Sequence, residues 1–168
     1  PHLLPILLEV AGTFAWTQGA ITAAGWFAWL KQLPLEFHTR LPDGTRVLAV
    51  HASPGRDDGD GLAPEMPDAL IQAQLRDCDA DLIFVGHTHR SMDRRIGRWH
   101  VVNLGSVSNP PTAERRANYV VLTATQTGYT IEHRLVDYDR LAVIKAVKEL
   151  EHPGASFICK HLGDSESC

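Results

Sequence analysis

DLIFVGHTHR, residues 81–90, runs a short apolar segment into a glycine and then sets two histidines two positions apart. The run Leu82–Val85 is brief and bounded by turn-forming residues, so it reads as a strand covered on both faces. Upstream, LPDGTRVLAVHASPG (residues 41–55) carries an Asp-Gly turn signal, an apolar Val47–Val50 and a Ser-Pro-Gly break, which places His51 at the C-terminal end of another strand. Between the two, ALIQAQLRDC (residues 69–78) follows Pro64 and Pro67 and holds Leu70, Ile71 and Leu75 at helical spacing. A strand, a helix and a strand make a βαβ unit, whose strands should be parallel, adjacent and joined by a right-handed crossover. Their carboxyl ends then share one edge of the sheet, the place where open α/β sheets hold ligands.

That edge receives three imidazoles. If the extended backbone continues past Gly86, His87 and His89 project to one side, because side chains alternate along a strand; His51 would reach them from the neighbouring strand. Neutral imidazole is the commonest protein metal ligand and suits Zn, Fe and Ni, and Gly86 would let the backbone come close to bound ions. His2, His38, His100, His133, His152 and His161 lie near turns, in alternating strands or near the chain ends and read as surface or ordinary hydrogen-bonding residues. Asp57, Asp58 and Asp60 form a run that reads as a solvated loop, and Asp93 stands beside Arg94 and Arg95, where a surface ion pair accounts for it.

The rest of the chain frames this unit. The opening 30 residues are apolar, yet Glu9, Gln18 and Pro5 interrupt them and no Lys or Arg precedes them, so a buried helical segment is expected rather than a membrane span or secretory signal. Trp26, Trp29, Leu30 and Leu33 share one helical face and Pro34 closes the pattern, giving a helix between Trp16 and Leu33 whose aromatics should be core. After residue 90, RRIGRWHVVNLGSV and NYVVLTATQTGYTIEHRLVDYD read as strands, with a turn at Gln126–Gly128, before a helical pattern over Arg140–Leu150. Residues 153–168 are rich in Gly, Ser and charge and read as a loose tail beyond a single domain over 1–152.

With 168 residues, 44% hydrophobic and 21% charged, the chain suits one domain with a real core. A formal net charge of −4 and no run of basic residues give no footprint for nucleic acid or an anionic membrane. Cys78, Cys159 and Cys168 are widely spaced and odd in number, matching no disulfide framework, so a reducing, cytoplasmic setting is expected.

GHTH (86–89), preceded by HASP (51–54) and followed by VVNLGSVSNP (101–110) and LVDYD (135–139), resembles the C-terminal portion of the calcineurin-like metallophosphoesterases, in particular their small prokaryotic branch, from about Trp16 to Leu150. The resemblance implies an α/β fold, a layered αββα sandwich represented by its second half. It also implies hydrolysis of phosphomonoesters or phosphodiesters through two divalent ions (Mn, Fe, Zn or Ni). On the matching motifs, His51 and His87 would share one ion and His89 would bind the other. Asn103, Gly105 and Ser106 end a further strand and could line a phosphate, bond a ligand histidine or form a plain turn. Arg90 could meet substrate phosphate or simply face solvent.

The family's upstream motifs DxH, GDxxD and GNH, which normally supply the bridging aspartate, the asparagine ligand and the acid histidine, are missing here. The chain is therefore expected to be a piece of a longer polypeptide, inactive by itself and carrying no catalytic group beyond metal ligands. The complete enzyme would take a phosphorylated small molecule or nucleotide as substrate, and self-association stays open. Two other readings stand beside this one. One is an inactive scaffold of the same fold, with Trp16, Trp26, Phe27 and Trp29 as an interface. The other is an unrelated zinc site, for which no fourth ligand at zinc spacing appears.

Overall fold

The computed structural model describes residues 3–163. In chain order its elements are α1 (Leu4–Ala23), α2 (Phe27–Leu30), β1 (Glu36–Arg40), β2 (Arg46–Val50), α3 (Asp68–Leu75), β3 (Leu82–Val85), β4 (Met92–Ile96), β5 (Trp99–Asn103), β6 (Ala117–Thr125), β7 (Gly128–Val136), α4 (Arg140–Glu149) and α5 (Ala155–Leu162). They fall into a sheet unit, Pro34–Asp137, and a helical unit made from the chain up to Leu33 and from Tyr138 onward.

In the sheet unit the strands lie in the order β1-β2-β3-β5-β4, and β6 pairs with β7 in a separate hairpin. The expected crossover is present: β2 and β3 are parallel, with Val47 opposite Leu82 and Ala49 opposite Phe84, and β5 runs parallel on the far side of β3. Strand alternation sorts the apolar residues onto two faces. Leu48, Ile83, Val85 and Val101 point to one side and bury Ile71 and Leu75 of α3. Val47, Leu82 and Val102 point to the other, with Phe84, and meet Val120, Leu122, Tyr129 and Ile131 of the β6–β7 hairpin. The central strand β3 is thus covered on both faces, which is why its sequence is apolar throughout rather than alternating. Each fully buried aliphatic side chain in these two clusters contributes about 1.5–3 kcal/mol of transfer free energy.

Arg46 and Asp81 fasten the other ends of β2 and β3. The Asp81 carboxylate accepts from the Arg46 backbone N–H at 3.0 Å and from its Nε at 2.8 Å. The Arg46 side chain, hydrogen-bonding that carboxyl group, holds it down to about 2 from an ordinary 3.8, while the guanidinium itself is raised. A carboxyl depressed by folding stabilises the native state above its unfolded value, and that contribution disappears as pH falls through the folded value. Asp81→Asn is therefore expected to show a stability deficit that is constant at neutral pH and shrinks between about pH 4 and pH 2. Urea midpoints of both proteins across that range measure it; a deficit independent of pH would refute the linkage.

Within the helical unit, α1 and α2 replace the single helix expected between Trp16 and Leu33. Gly25, at φ +78°, stands between them, a left-handed conformation that breaks the helix and suits glycine. The expectation that the apolar opening is buried also fails. No residue of α1 or α2 is buried, and Trp26 and Trp29 are 60% and 54% exposed. Apolar side chains fall on every side of α1, so no single face directs its packing.

The reading of 153–168 as a loose tail needs correction too. Residues 155–162 form α5, whose Cys159 and Leu162 are buried with Ile144 of α4 and packed by Ile158 and Tyr138. Ile158, Cys159 and Leu162 sit one and four positions apart on one helical face, and Gly163 at φ +96° closes the helix as a left-handed cap. Residues 164–168 lie outside the described residues. Helix α4 begins where expected, with the Asp139 side chain accepting from the Ala142 N–H at 2.9 Å. Cys78 is buried and free, its thiol pushed up by desolvation. Among the described residues no helix is long and apolar enough to cross a membrane.

Candidate functional site

Parallel pairing of β2 with β3 delivers His51 and Gly86 to the same edge, where the Gly86 N–H donates to the His51 carbonyl at 2.8 Å. One residue on, His87 Nδ1 lies 3.2 Å from His51 Nε2, the rings meeting edge to face with centroids 5.0 Å apart. The other His87 nitrogen, Nε2, sits 2.7 Å from the Gly59 carbonyl. A carbonyl can only accept, so Nε2 carries the proton and Nδ1 presents its lone pair toward His51. Gly59 belongs to the exposed Asp57–Asp60 run, which is otherwise the solvated loop expected: Asp58 pairs at 3.5 Å with Arg56 in the open. Sequence reasoning missed Gly59, because a backbone carbonyl leaves no trace in residue type.

The extended backbone expected through GHTH is absent. His87 and His89 both adopt left-handed conformations, φ +61° and +60°, and the Thr88 N–H closes a tight turn onto the Gly86 carbonyl at 2.7 Å. Each such L-residue costs about 1–2 kcal/mol, and strain of this kind persists only where surrounding structure over-determines it. Gly61 is part of that surround. It is itself left-handed, and a Cβ there would come within 3.0 Å of His87 Cδ2 and 3.1 Å of Thr88 Cγ2.

Asn103 holds the turn in place. It is fully buried at the end of β5, and its Nδ2 donates to the Gly86 carbonyl at 2.7 Å, Thr88 Oγ1 at 3.0 Å and the Leu62 carbonyl at 3.1 Å. Its Oδ1 accepts from the Gly105 N–H at 3.1 Å. Of the three roles open to Asn103 in the sequence, the structure shows a clamp on the backbone around the histidines. Gly105, at φ +78°, passes so close to Asn118 that a Cβ would stand 2.9 Å from the Asn118 Cβ. Ser106 is buried, its Oγ accepting from the Asn109 N–H at 2.9 Å. Arg90 is exposed and paired with Glu65.

Three imidazoles were expected to converge: His51 and His87 are brought into contact, and His89 lines a cavity with Arg90 and Ser91. Among the described residues no three His, Cys, Asp or Glu side chains are grouped to hold a metal. Asp93 likewise departs from expectation. It bonds not to its arginine neighbours but to His100, whose Nε2 lies 2.7 Å from Asp93 Oδ1 and whose Nδ1 lies 2.8 Å from the Tyr129 hydroxyl. Successive strand residues point to opposite faces, so Arg94 reaches Asp68 and the Pro64 and Met66 carbonyls instead.

The His51–His87 pair passes a simple test as a partial ligand set. With nitrogen–metal bonds of about 2.0–2.1 Å, two nitrogens on one ion stand roughly 2.9–3.4 Å apart for octahedral to tetrahedral angles. The observed 3.2 Å falls within that span, and the same spacing serves a shared proton when no cation is there. The Gly59 carbonyl supplies the acceptor that fixes the other ring N–H of His87, as ligand histidines require.

Residues 6–127 match the calcineurin-like phosphoesterase superfamily domain. No curated protein matches the chain significantly. Among solved structures, the hypothetical protein PH1004 from Pyrococcus horikoshii OT3 superposes with a TM-score of 0.71 at 20% identity, over 86% of this chain and 56% of that one. A metallophosphoesterase from Sphaerobacter thermophilus superposes with a TM-score of 0.68 at 18% identity, over 85% of this chain and 62% of that one. At those identities the likeness is one of fold, and the chain spans only a little over half the length of either structure. The fold is the mixed α/β arrangement with a central sheet that such proteins share, and the family match covers well over half of the sequence. The chain therefore belongs to the calcineurin-like phosphoesterase superfamily.

Proposed function

We propose that this chain carries part of the active site of a metal-dependent phosphoesterase that hydrolyses phosphomonoester or phosphodiester bonds. The observation that carries this reading is the His51–His87 pair, two nitrogens 3.2 Å apart with the His87 tautomer set by a backbone carbonyl. His51 Nε2 and His87 Nδ1 would hold one divalent cation, and His89 would hold a second together with groups from the rest of the polypeptide. When bound, the cations supply Lewis acidity toward a phosphoryl oxygen and a water. Imidazole donors accept Zn, Fe and Ni, and Mn is included by family resemblance. What the chain's own residues contribute is orientation. Asn103 fixes the turn, Gly59 fixes the ring, and the parallel strands fix the spacing.

The test is elemental analysis of the full-length protein, with turnover of bis-p-nitrophenyl phosphate in the presence and absence of Mn, set beside His87→Ala. Metal content and turnover that both fall in the variant support the reading. No metal and no turnover in the unaltered protein would instead favour the scaffold reading, to which the exposed Trp26 and Trp29 give some support.

A further inference from the structure

We propose that the cavity beside the GHTH turn is a subsite for a second anionic group on the substrate, a phosphoryl group beyond the one hydrolysed, with Arg116 as its counter-ion. The purpose assigned to this subsite rests on the phosphoesterase reading; the anion binding itself does not.

The cavity lies within the sheet unit and measures about 790 Å³, far more than a bare phosphate needs and within the range of small-molecule pockets. His89, Arg90 and Ser91 form one wall, and Arg116 and Asn118 form another that adjoins it where Ser91 meets Asn118. These two walls differ in how their charges are balanced. Arg90 is exposed and neutralised by Glu65. Arg116 is half-buried, and no carboxylate among the described residues pairs with its guanidinium. A partly desolvated guanidinium without a counter-ion is an anion site in waiting, since its planar donors match phosphate oxygens two at a time. Glu114 also lines the cavity, but it is exposed, so water and salt screen its charge more than that of Arg116.

The Arg116 wall is also fixed in advance. Asn118 Nδ2 donates to the Arg116 carbonyl at 3.0 Å, and the Asn118 N–H donates to the Ser106 carbonyl at 2.9 Å. Ser91 Oγ donates to Asn118 Oδ1 at 3.3 Å, tying that wall to the strand end that follows His89. Pro111 and Leu135 complete the lining with apolar surface against which the body of a leaving group can rest. The geometry thus selects substrates whose leaving portion is itself anionic, ahead of simple alkyl or aryl phosphates.

Isothermal titration of the metal-free, full-length protein with pyrophosphate and with inorganic phosphate tests this. Pyrophosphate should bind about tenfold or more tightly than phosphate, the worth of one charge-assisted hydrogen bond. Arg116→Ala should erase that preference and weaken phosphate binding as well, and Arg116→Lys should restore part of both; Arg116→Gln, which keeps the bulk, guards against a folding defect. Equal affinities in the unaltered protein, or a preference that survives in Arg116→Ala and Arg116→Gln, would overturn the proposal. If turnover and metal are absent but the Arg116-dependent preference is present, the phosphoesterase reading fails and the anion site stands.

Discussion

Asn103→Ala is expected to lower stability by about 3 kcal/mol, because it strips a buried donor from the Leu62 carbonyl and from the Gly86 carbonyl, which keeps only the Thr88 N–H. The side chain is fully buried and its amide reaches the Gly86 and Leu62 carbonyls and the Thr88 hydroxyl at once. The bond to the Leu62 carbonyl lies in a buried surround, so its loss is of the expensive kind: a buried acceptor left unmade rather than a surface bond exchanged. The effect should reach the histidines as well, since the same amide secures the turn that holds two left-handed L-residues. Asn103→Asp separates the two contributions. It preserves size and the bond from the Gly105 N–H but faces a carboxylate toward two carbonyls, so it should be at least as unstable as the alanine variant. Urea unfolding with unchanged slope measures both. An aspartate variant as stable as the unaltered protein would show that filling the space, not donating hydrogen bonds, is what the position requires.

At His87 stability and function are expected to move in opposite directions. His87→Gly should be more stable than His87→Ala by about 1 kcal/mol, because φ +61° is open to glycine and strained for alanine. Both should lose metal affinity by roughly a hundredfold or more, since one of two adjacent donors is gone. The chain keeps an imidazole in a conformation that glycine would adopt without strain. Such strain is a reason to infer a function from the residue, in the direction observation to role. Thermal melts and metal titration of the two variants decide it: glycine no more stable than alanine would mean the conformation carries no strain, and undiminished metal uptake would remove His87 from the ligand set.

The sequence by itself determined the strand–helix–strand unit and the shared edge. Val47–Val50 and Leu82–Val85 could be read because burial on both faces demands uninterrupted apolar residues, and the crossover rule then leaves one arrangement for their ends. It determined that His51 and His87 would be neighbours for the same reason. Other features depended on contacts between residues far apart in the chain, and a local pattern holds no record of these. The left-handed turn at His87 and His89 arises because Asn103, sixteen positions beyond His87, captures the Gly86 carbonyl, and that turn, not strand alternation, decides where the second histidine points. Gly59 supplies a backbone atom, so its residue type could not announce it. Asp93 found His100 instead of the adjacent Arg94 because adjacent strand residues face opposite sides of the sheet. Helix α5 was passed over although Ile158, Cys159, Leu162 and Gly163 spell a short face and a stop; eight residues carry too little periodicity to outweigh a polar composition. Tertiary structure alone decided which polar groups meet, because a hydrogen bond is set by position in space to within a few tenths of an ångström, whereas sequence periodicity fixes only the face on which a side chain emerges.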